Sequence, residues 1–434
     1  MAFQARPVSM RDQHTSSDGR LGALTIVTML FFMWGFITAL NDILIPHLKP
    51  VFDLTYPQIL FIQTAFFGAY FVFALPSGKL VDVIGYRKTM VTALIVMAIG
   101  ALLFIPAASL PSFPFFLFAL IVLAAGVTAL QTSANPYVAV LGPPQTASSR
   151  LNLTQAFNSL GTTLAPPIGG LLILSATSKK VEELRLMAPS VLHDYRVAEA
   201  GRVKVPYLII AIVLLCLAGL ISVWKLPTLT LTSDFRTSAE GDGISLWKRS
   251  HLMLGVAAIF LYVGAEVSIG SFLVNYLGQS YIAGLAPRVA AIYVSLYWGG
   301  AMVGRFIGAG LMQKIRANVI LAIAAGAATL LVLTSVLTFG HTAMWAIILV
   351  GLFNSIMFPT IFTLATAGLG PLTGRGSGLL VAGIVGGAIV PLLQGWLAER
   401  IGLHHAFLLP ILCYAFIGFY GVRGYLDRDT RELN

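Results

Sequence analysis

The chain has 434 residues, of which 57% are hydrophobic and 10% charged, with a mean hydropathy of +0.87. A water-soluble chain of this size could not cover so much apolar surface with so few polar groups, so lipid is the expected solvent. The net charge of +10 does not point to nucleic acid, because Lys and Arg gather at the ends of apolar runs and form no basic face interleaved with aromatics.

Residues 1–22 are polar and lack a small-residue cleavage site before the first apolar run, which marks a tail and not a removable signal peptide. A hydrocarbon core about 30 Å thick asks for about 20 helical residues per crossing. Suitable runs lie near 23–47, 59–80, 89–108, 113–141, 150–175 and 205–226, then 252–278, 287–312, 317–338, 342–368, 376–399 and 404–424. The polar stretch 227–251 divides them six and six, giving an N-terminal bundle over 23–226, a linker, a C-terminal bundle over 252–424 and a tail over 425–434. The expected fold class is therefore all-α: a membrane protein of twelve transmembrane helices in two six-helix bundles. Alternating spans bring Arg6, Arg11, Arg20, Lys79, Arg87, Lys88, Arg150, Lys248, Arg249, Lys314, Arg316, Arg375 and Arg423 to one side. An excess of basic residues marks the cytoplasmic face, which places both termini in the cytoplasm.

The halves share a weak repeat at a spacing of 225 to 232 residues: Gly68 and Gly78 parallel Gly300 and Gly310, and Gly161 and Pro166 parallel Gly386 and Pro391. Parallel repeats of this kind are typical of membrane carriers. Cys216 and Cys413 both sit inside apolar stretches, and the seven histidines lack zinc-ligand spacing, so no disulfide framework, metal site or cofactor is expected.

The connection between the second and third spans reads Gly78-Lys79-Leu80-Val81-Asp82-Val83-Ile84-Gly85-Tyr86-Arg87-Lys88. Gly78 permits close helix approach, Asp82 suits a helix N-terminus or a basic side chain of the facing half, and Arg87 and Lys88 meet anionic headgroups. With Gly85, these residues read as an inner gate. Arg305, near the end of the eighth span, fits the same gate or a helix end better than a substrate site. The whole motif resembles the signature of the major facilitator superfamily, which implies the major facilitator fold.

Of seventeen acidic residues, only Asp42 and Glu266 lie well inside predicted spans. A carboxyl at membrane depth is costly unless it is paired, protonated or facing water, so both are candidates for ion coupling, Asp42 first. Around them stand amides and aromatics: Trp34, Asn41, Gln63, Tyr70, Gln131, Asn135, Gln155 and Asn158 in the first half, and Asn275, Tyr297, Trp298, Asn354 and Gln394 in the second. Amides both donate and accept hydrogen bonds, and aromatic faces cover the C–H surface of a ring, a combination suited to a neutral, hydroxyl-rich solute.

The segments Asn41-Asp42-Ile43-Leu44-Ile45-Pro46, Ala134-Asn135-Pro136-Tyr137, Arg150 to Gly161 and Tyr262-Val263-Gly264-Ala265-Glu266 resemble the fucose/galactose/glucose:proton symporter family, over nearly the whole chain. That resemblance implies import of a hexose such as glucose, galactose or fucose with a proton, by alternating access in a bacterial inner membrane. It implies proton coupling at Asp42 and sugar contacts from Gln155 and Asn158. Gln131 stands where the fucose branch has a glutamate, and Glu266 where that branch has a glutamine, so the chain is similar to the glucose/galactose branch. The expected partners are the sugar and membrane lipid, with the carrier a monomer. Sodium in place of the proton, a uniporter and a drug or sugar exporter of the same fold are the alternatives. An enzyme is not expected, because no nucleophile and base or metal cluster lies at membrane depth.

Overall fold

A computed structural model describes residues 21–40, 52, 56–109, 112–173, 184, 186–224, 227 and 246–426. The N-terminal tail, Asn41 with Asp42, residues 228–245 of the expected linker and the last eight residues lie outside that set. Every regular element among the described residues is helical.

The first half comprises α1 (Leu21–Leu40), α2 (Tyr56–Ser109), α3 (Phe113–Val140), α4 (Ala147–Ile173), α5 (Pro189–Gly201) and α6 (Lys204–Val223). The second comprises α7 (Ser250–Leu277), α8 (Pro287–Leu311), α9 (Ala317–Leu337), α10 (Gly340–Asn354), α11 (Met357–Thr366), α12 (Thr373–Ala382), α13 (Gly386–Ile401) and α14 (Leu408–Phe419). Helices and crossings do not correspond one to one. α2 is two crossings joined at Gly85, where φ 80° and ψ 167° break the helix in a region open essentially to glycine alone. α10 and α11 form one crossing interrupted at Ser355 and Ile356, and α12 and α13 form one joined by the tight turn Gly383–Val385. With these joins the chain makes the twelve crossings of the expected fold. The helix α5 falls in the charged loop before the sixth crossing, between the expected spans 150–175 and 205–226.

Nine described segments are long and apolar enough to cross a membrane. The helices α4 and α8 are of crossing length but more polar, and they meet each other across the two halves. Within the first half α2 packs on α3 and α6; within the second α7 packs on α11, α13 and α14, and α9 on α10 and α14. Buried aromatics such as Tyr137, Tyr207, Tyr262 and Tyr297 fill these contacts, while Leu208, Ile209 and Ile212 of α6 and Leu412 of α14 are exposed as lipid-facing residues.

The halves join along two seams, α2 against α12 and α4 against α8. The first is backbone on backbone: a methyl group added at Gly378 would lie 2.6 Å from the Ala74 carbonyl oxygen, and one added at Gly78 would lie 2.9 Å from that of Gly374. Lipid tails give no hydrophobic drive for helices to associate, so this close fit supplies dispersion contacts that larger residues would forbid. At its end Arg375 Nε donates to Asp82 Oδ2 at 2.7 Å. Ser148 and Thr363 hydroxyls lie 2.5 Å apart, and Ser149 Oγ donates to the Ala309 carbonyl at 2.6 Å. These bonds close the molecule at the end that carries Asp82.

Candidate functional site

Gln131 and Asn135 stand one turn apart on α3, so their side chains share a face. Gln131 Nε2 donates to Tyr70 Oη of α2 at 2.6 Å, and the Trp34 indole of α1 is a second hydrogen-bond neighbour of that oxygen. Amide and indole N–H groups are donors, so the Tyr70 oxygen accepts from both, and its own proton has no acceptor among the described residues. Asn135 Oδ1 accepts from Gln155 Nε2 of α4 at 3.5 Å. Gln131 Oε1 and Asn135 Nδ2 are buried without a partner.

The second half repeats the arrangement. Asn354, the last residue of α10, donates from Nδ2 to Tyr297 Oη of α8 at 2.6 Å, and its Oδ1 is buried without a partner. Tyr297 and Asn354 follow Tyr70 and Gln131 by 227 and 223 residues, as expected for equivalent crossings of a parallel repeat. The copies differ in the tyrosine proton: Tyr297 directs its own to the Glu266 backbone oxygen at 3.4 Å, whereas Tyr70 has no acceptor among the described residues.

Glu266 keeps partial accessibility within α7, and Tyr262, one turn earlier, donates to its Oε1 at 2.7 Å. Trp298 packs edge-on against Tyr297, with ring centroids 5.1 Å apart. Arg305 Nε donates to the Ser355 carbonyl at 3.1 Å, at the break between α10 and α11. Its Nη1 crosses to the other half, donating to the Gln155 carbonyl at 3.1 Å and to Ser159 Oγ of α4. A guanidinium suits both tasks, since its fork serves several carbonyls at once and favours the carbonyl end of a helix.

The residues singled out in the sequence thus fall into four groups. Trp34, Gln131, Asn135 and Gln155 gather in the first half, and Glu266, Trp298 and Asn354 in the second. Gly78, Asp82 and Arg305 join the halves, while Gly85 makes the turn beside Asp82 that carries Arg87 and Lys88. Asn158 spends its Nδ2 on the Phe31 carbonyl at 2.9 Å, tying α4 to α1. Gln63 and Asn275 are exposed, and Gln394 is buried in α13 with both amide atoms unpartnered. Asn41 and Asp42 lie outside the described residues.

The sequence did not single out Tyr262, Ser159 or Ser355. Tyr262 carried a signal, its four-residue spacing from Glu266; the other two act through partners in distant crossings. No cluster of three metal-ligating side chains occurs among the described residues.

A family model described as Major Facilitator Superfamily matches residues 24–384. The chain is 54% identical over 411 residues to a glucose/galactose transporter of Brucella abortus, covering 94% of this chain and 96% of that one. It is 37% identical over 399 residues to the L-fucose-proton symporter of Escherichia coli K12, covering 90% of each. A crystal structure of the Major Facilitator Superfamily transporter FucP in the outward conformation superposes with a TM-score of 0.84 at 34% identity, covering 93% of this chain and 99% of that one.

Proposed function

This chain belongs to the Major Facilitator Superfamily, a multi-pass membrane transporter and not an enzyme, and from that premise we propose that it imports a neutral hexose together with a proton. The observation that carries this reading is the pair of carboxamide–tyrosine contacts, one in each half, each leaving a carboxamide oxygen buried and unpartnered. Leaving such a group unsatisfied costs about 1–3 kcal/mol, so these oxygens favour a guest that donates hydrogen bonds. The Asn135 Nδ2 group, buried without a partner, favours one that also accepts them. A sugar does both; an apolar drug does neither. An anionic solute would need an uncommitted cation, and Arg305 is occupied by carbonyl and hydroxyl oxygens.

The two relatives named above support the substrate class, one as a glucose/galactose transporter and one as an L-fucose-proton symporter. Asp42 is the first coupling acid in this reading and Glu266 the second, each losing its charge to a proton so that the loaded carrier closes at lower cost. The basic excess supports a cytoplasmic Asp82 end, and in this reading the closed Asp82 end belongs to the outward-facing half of the cycle.

The test is sugar-induced pH change in proteoliposomes, with and without sodium, for the wild type and Asp42→Asn. Glucose or galactose is expected to alkalinise the outside without sodium, and the variant to abolish the signal. Alkalinisation unchanged in Asp42→Asn would remove that residue from coupling. A strict sodium requirement would replace the proton, and no uptake of any hexose would reject the substrate class.

A further inference from the structure

We propose that Arg305 is the group that discharges Glu266: opening of the Asp82 end strips the guanidinium of its partners on α4, and it then pairs with the Glu266 carboxylate and expels the proton there. The inference rests on the reading of the chain as a proton-coupled carrier and deepens it.

A contiguous set of contacts links the acid to the seam between the halves. Tyr262 Oη donates to the carboxylate at 2.7 Å, Tyr297 Oη to the backbone oxygen of the same residue, and Asn354 Nδ2 to Tyr297 Oη. The carbonyl following Asn354, that of Ser355, accepts from Arg305. Of the acceptors Arg305 uses, the Ser355 carbonyl lies in its own half and the other two, the Gln155 carbonyl and Ser159 Oγ, in the opposite half.

Separation of α4 from α8 must therefore remove the cross-half acceptors together and leave a guanidinium with one carbonyl. A guanidinium released in this way keeps one protein acceptor at the edge of the opened seam, where the low-dielectric walls strengthen its attraction to a carboxylate of its own half. Arg305 already acts electrostatically on Glu266 without forming an ion pair with it. Among the described residues the other titratable groups that bear on this set are Tyr262 on the same helix, Tyr297 on α8 and Tyr414 on α14, all of them phenols.

The chemistry balances: the carboxyl O–H breaks, the proton leaves to water at the opened end, and the carboxylate left behind pairs with Arg305 while still accepting from Tyr262. While the end is closed, α4 holds Arg305 back and Glu266 is free to take up a proton. The same guanidinium would then serve the closed seam in one state and the acid in the other.

Linkage gives the sign. If the open Asp82 end favours the ionised acid, raising the pH must favour opening. Spin labels on the exposed residues Val83 and Ile315, each replaced by Cys, would report the separation of the halves at that end. The background would lack Cys216 and Cys413 and carry Asp42→Asn to silence the other acid. The open population is expected to rise about fivefold or more as the pH is raised. Arg305→Ala and Glu266→Gln should flatten this response, Arg305→Lys should restore part of it, and Ser159→Ala should raise the open population at every pH while leaving the direction intact. Protonation of Asp82, which would break its bond to Arg375, predicts opening on acidification and so the opposite sign.

A wild-type response in Arg305→Ala, or opening as the pH falls, would overturn the proposal. Should the alanine variant fail to fold, a full wild-type response or none at all in Arg305→Lys would overturn it equally. Hexose binding, followed by tryptophan fluorescence on the same samples, is a separate readout: its absence rejects the proposed substrate and leaves the Arg305 linkage to be decided by the label distances.

Discussion

Replacing Gly378 by Ala is the most direct perturbation of the seam between the halves. The added methyl carbon would lie 2.6 Å from the Ala74 carbonyl oxygen and 3.3 Å from Gly78 Cα, where ordinary contact begins near 3.4 Å. Both neighbours are backbone, so neither can swing aside, and α2 and α12 must separate by several tenths of an ångström. Overpacking of this kind costs about 1–3 kcal/mol. The cost falls on the conformation in which the seam is closed, whereas a conformation with α2 and α12 apart has room for the methyl. The expected result is a shift toward the open Asp82 end by a factor of about 5 to 150. Ser148, buried in the closed state, becomes the reporter: Ser148→Cys should react faster with a membrane-impermeant maleimide applied from that side. Gly68→Ala is the control, since nothing lies within 4 Å of the carbon it adds. Unchanged labelling in folded Gly378→Ala, or an equal rise in the control, would refute the argument.

Gln131→Leu and Asn354→Leu each remove an amide that serves a buried tyrosine and offers an acceptor, and each is expected to weaken hexose binding by roughly tenfold to a hundredfold, read by equilibrium titration. Asp82→Asn removes the charge from the pair with Arg375; because Arg375 is half exposed, the effect on the open population should be below about 1 kcal/mol and should shrink at high salt. Gly85→Ala forces a side chain into backbone angles it rarely adopts, and a loss of about 1–3 kcal/mol should appear as a lower thermal midpoint in detergent.

Most crossings were legible because lipid imposes a length and an apolar composition on every one of them. The reading of 113–141, 287–312 and 317–338 falls within a residue of Phe113–Val140, Pro287–Leu311 and Ala317–Leu337. The turn between the second and third crossings was legible too: it falls at Gly85, inside the charged motif that separates those spans. Joins inside crossings were not. The break at Ser355 carries no proline of its own; Pro359 comes four residues later, inside α11. In the site, Gln131, Glu266 and Asn354 stood out because polar groups inside apolar runs are expensive. The pairings did not: Tyr70 was singled out but lies 61 residues from Gln131, and Ser159, which was not, lies 146 from Arg305, separations that only the packed bundle bridges. Asn158 shows the limit of the inventory, since its amide nitrogen is spent holding α1 to α4.

The unequal fate of the two tyrosine protons bears on how a ring sits between the bundles. Among the described residues the Tyr70 proton has no acceptor and Gln131 Oε1 no donor, so that side can both give and take a hydrogen bond, while beside Tyr297 the phenol's gift goes to main chain and the amide oxygen only takes. Near-mirrored surroundings would let a pyranose lodge either way up. This imbalance gives it a preferred heading, so that masking hydroxyls one at a time as methyl ethers should harm recognition lopsidedly, most on the edge that faces Tyr70.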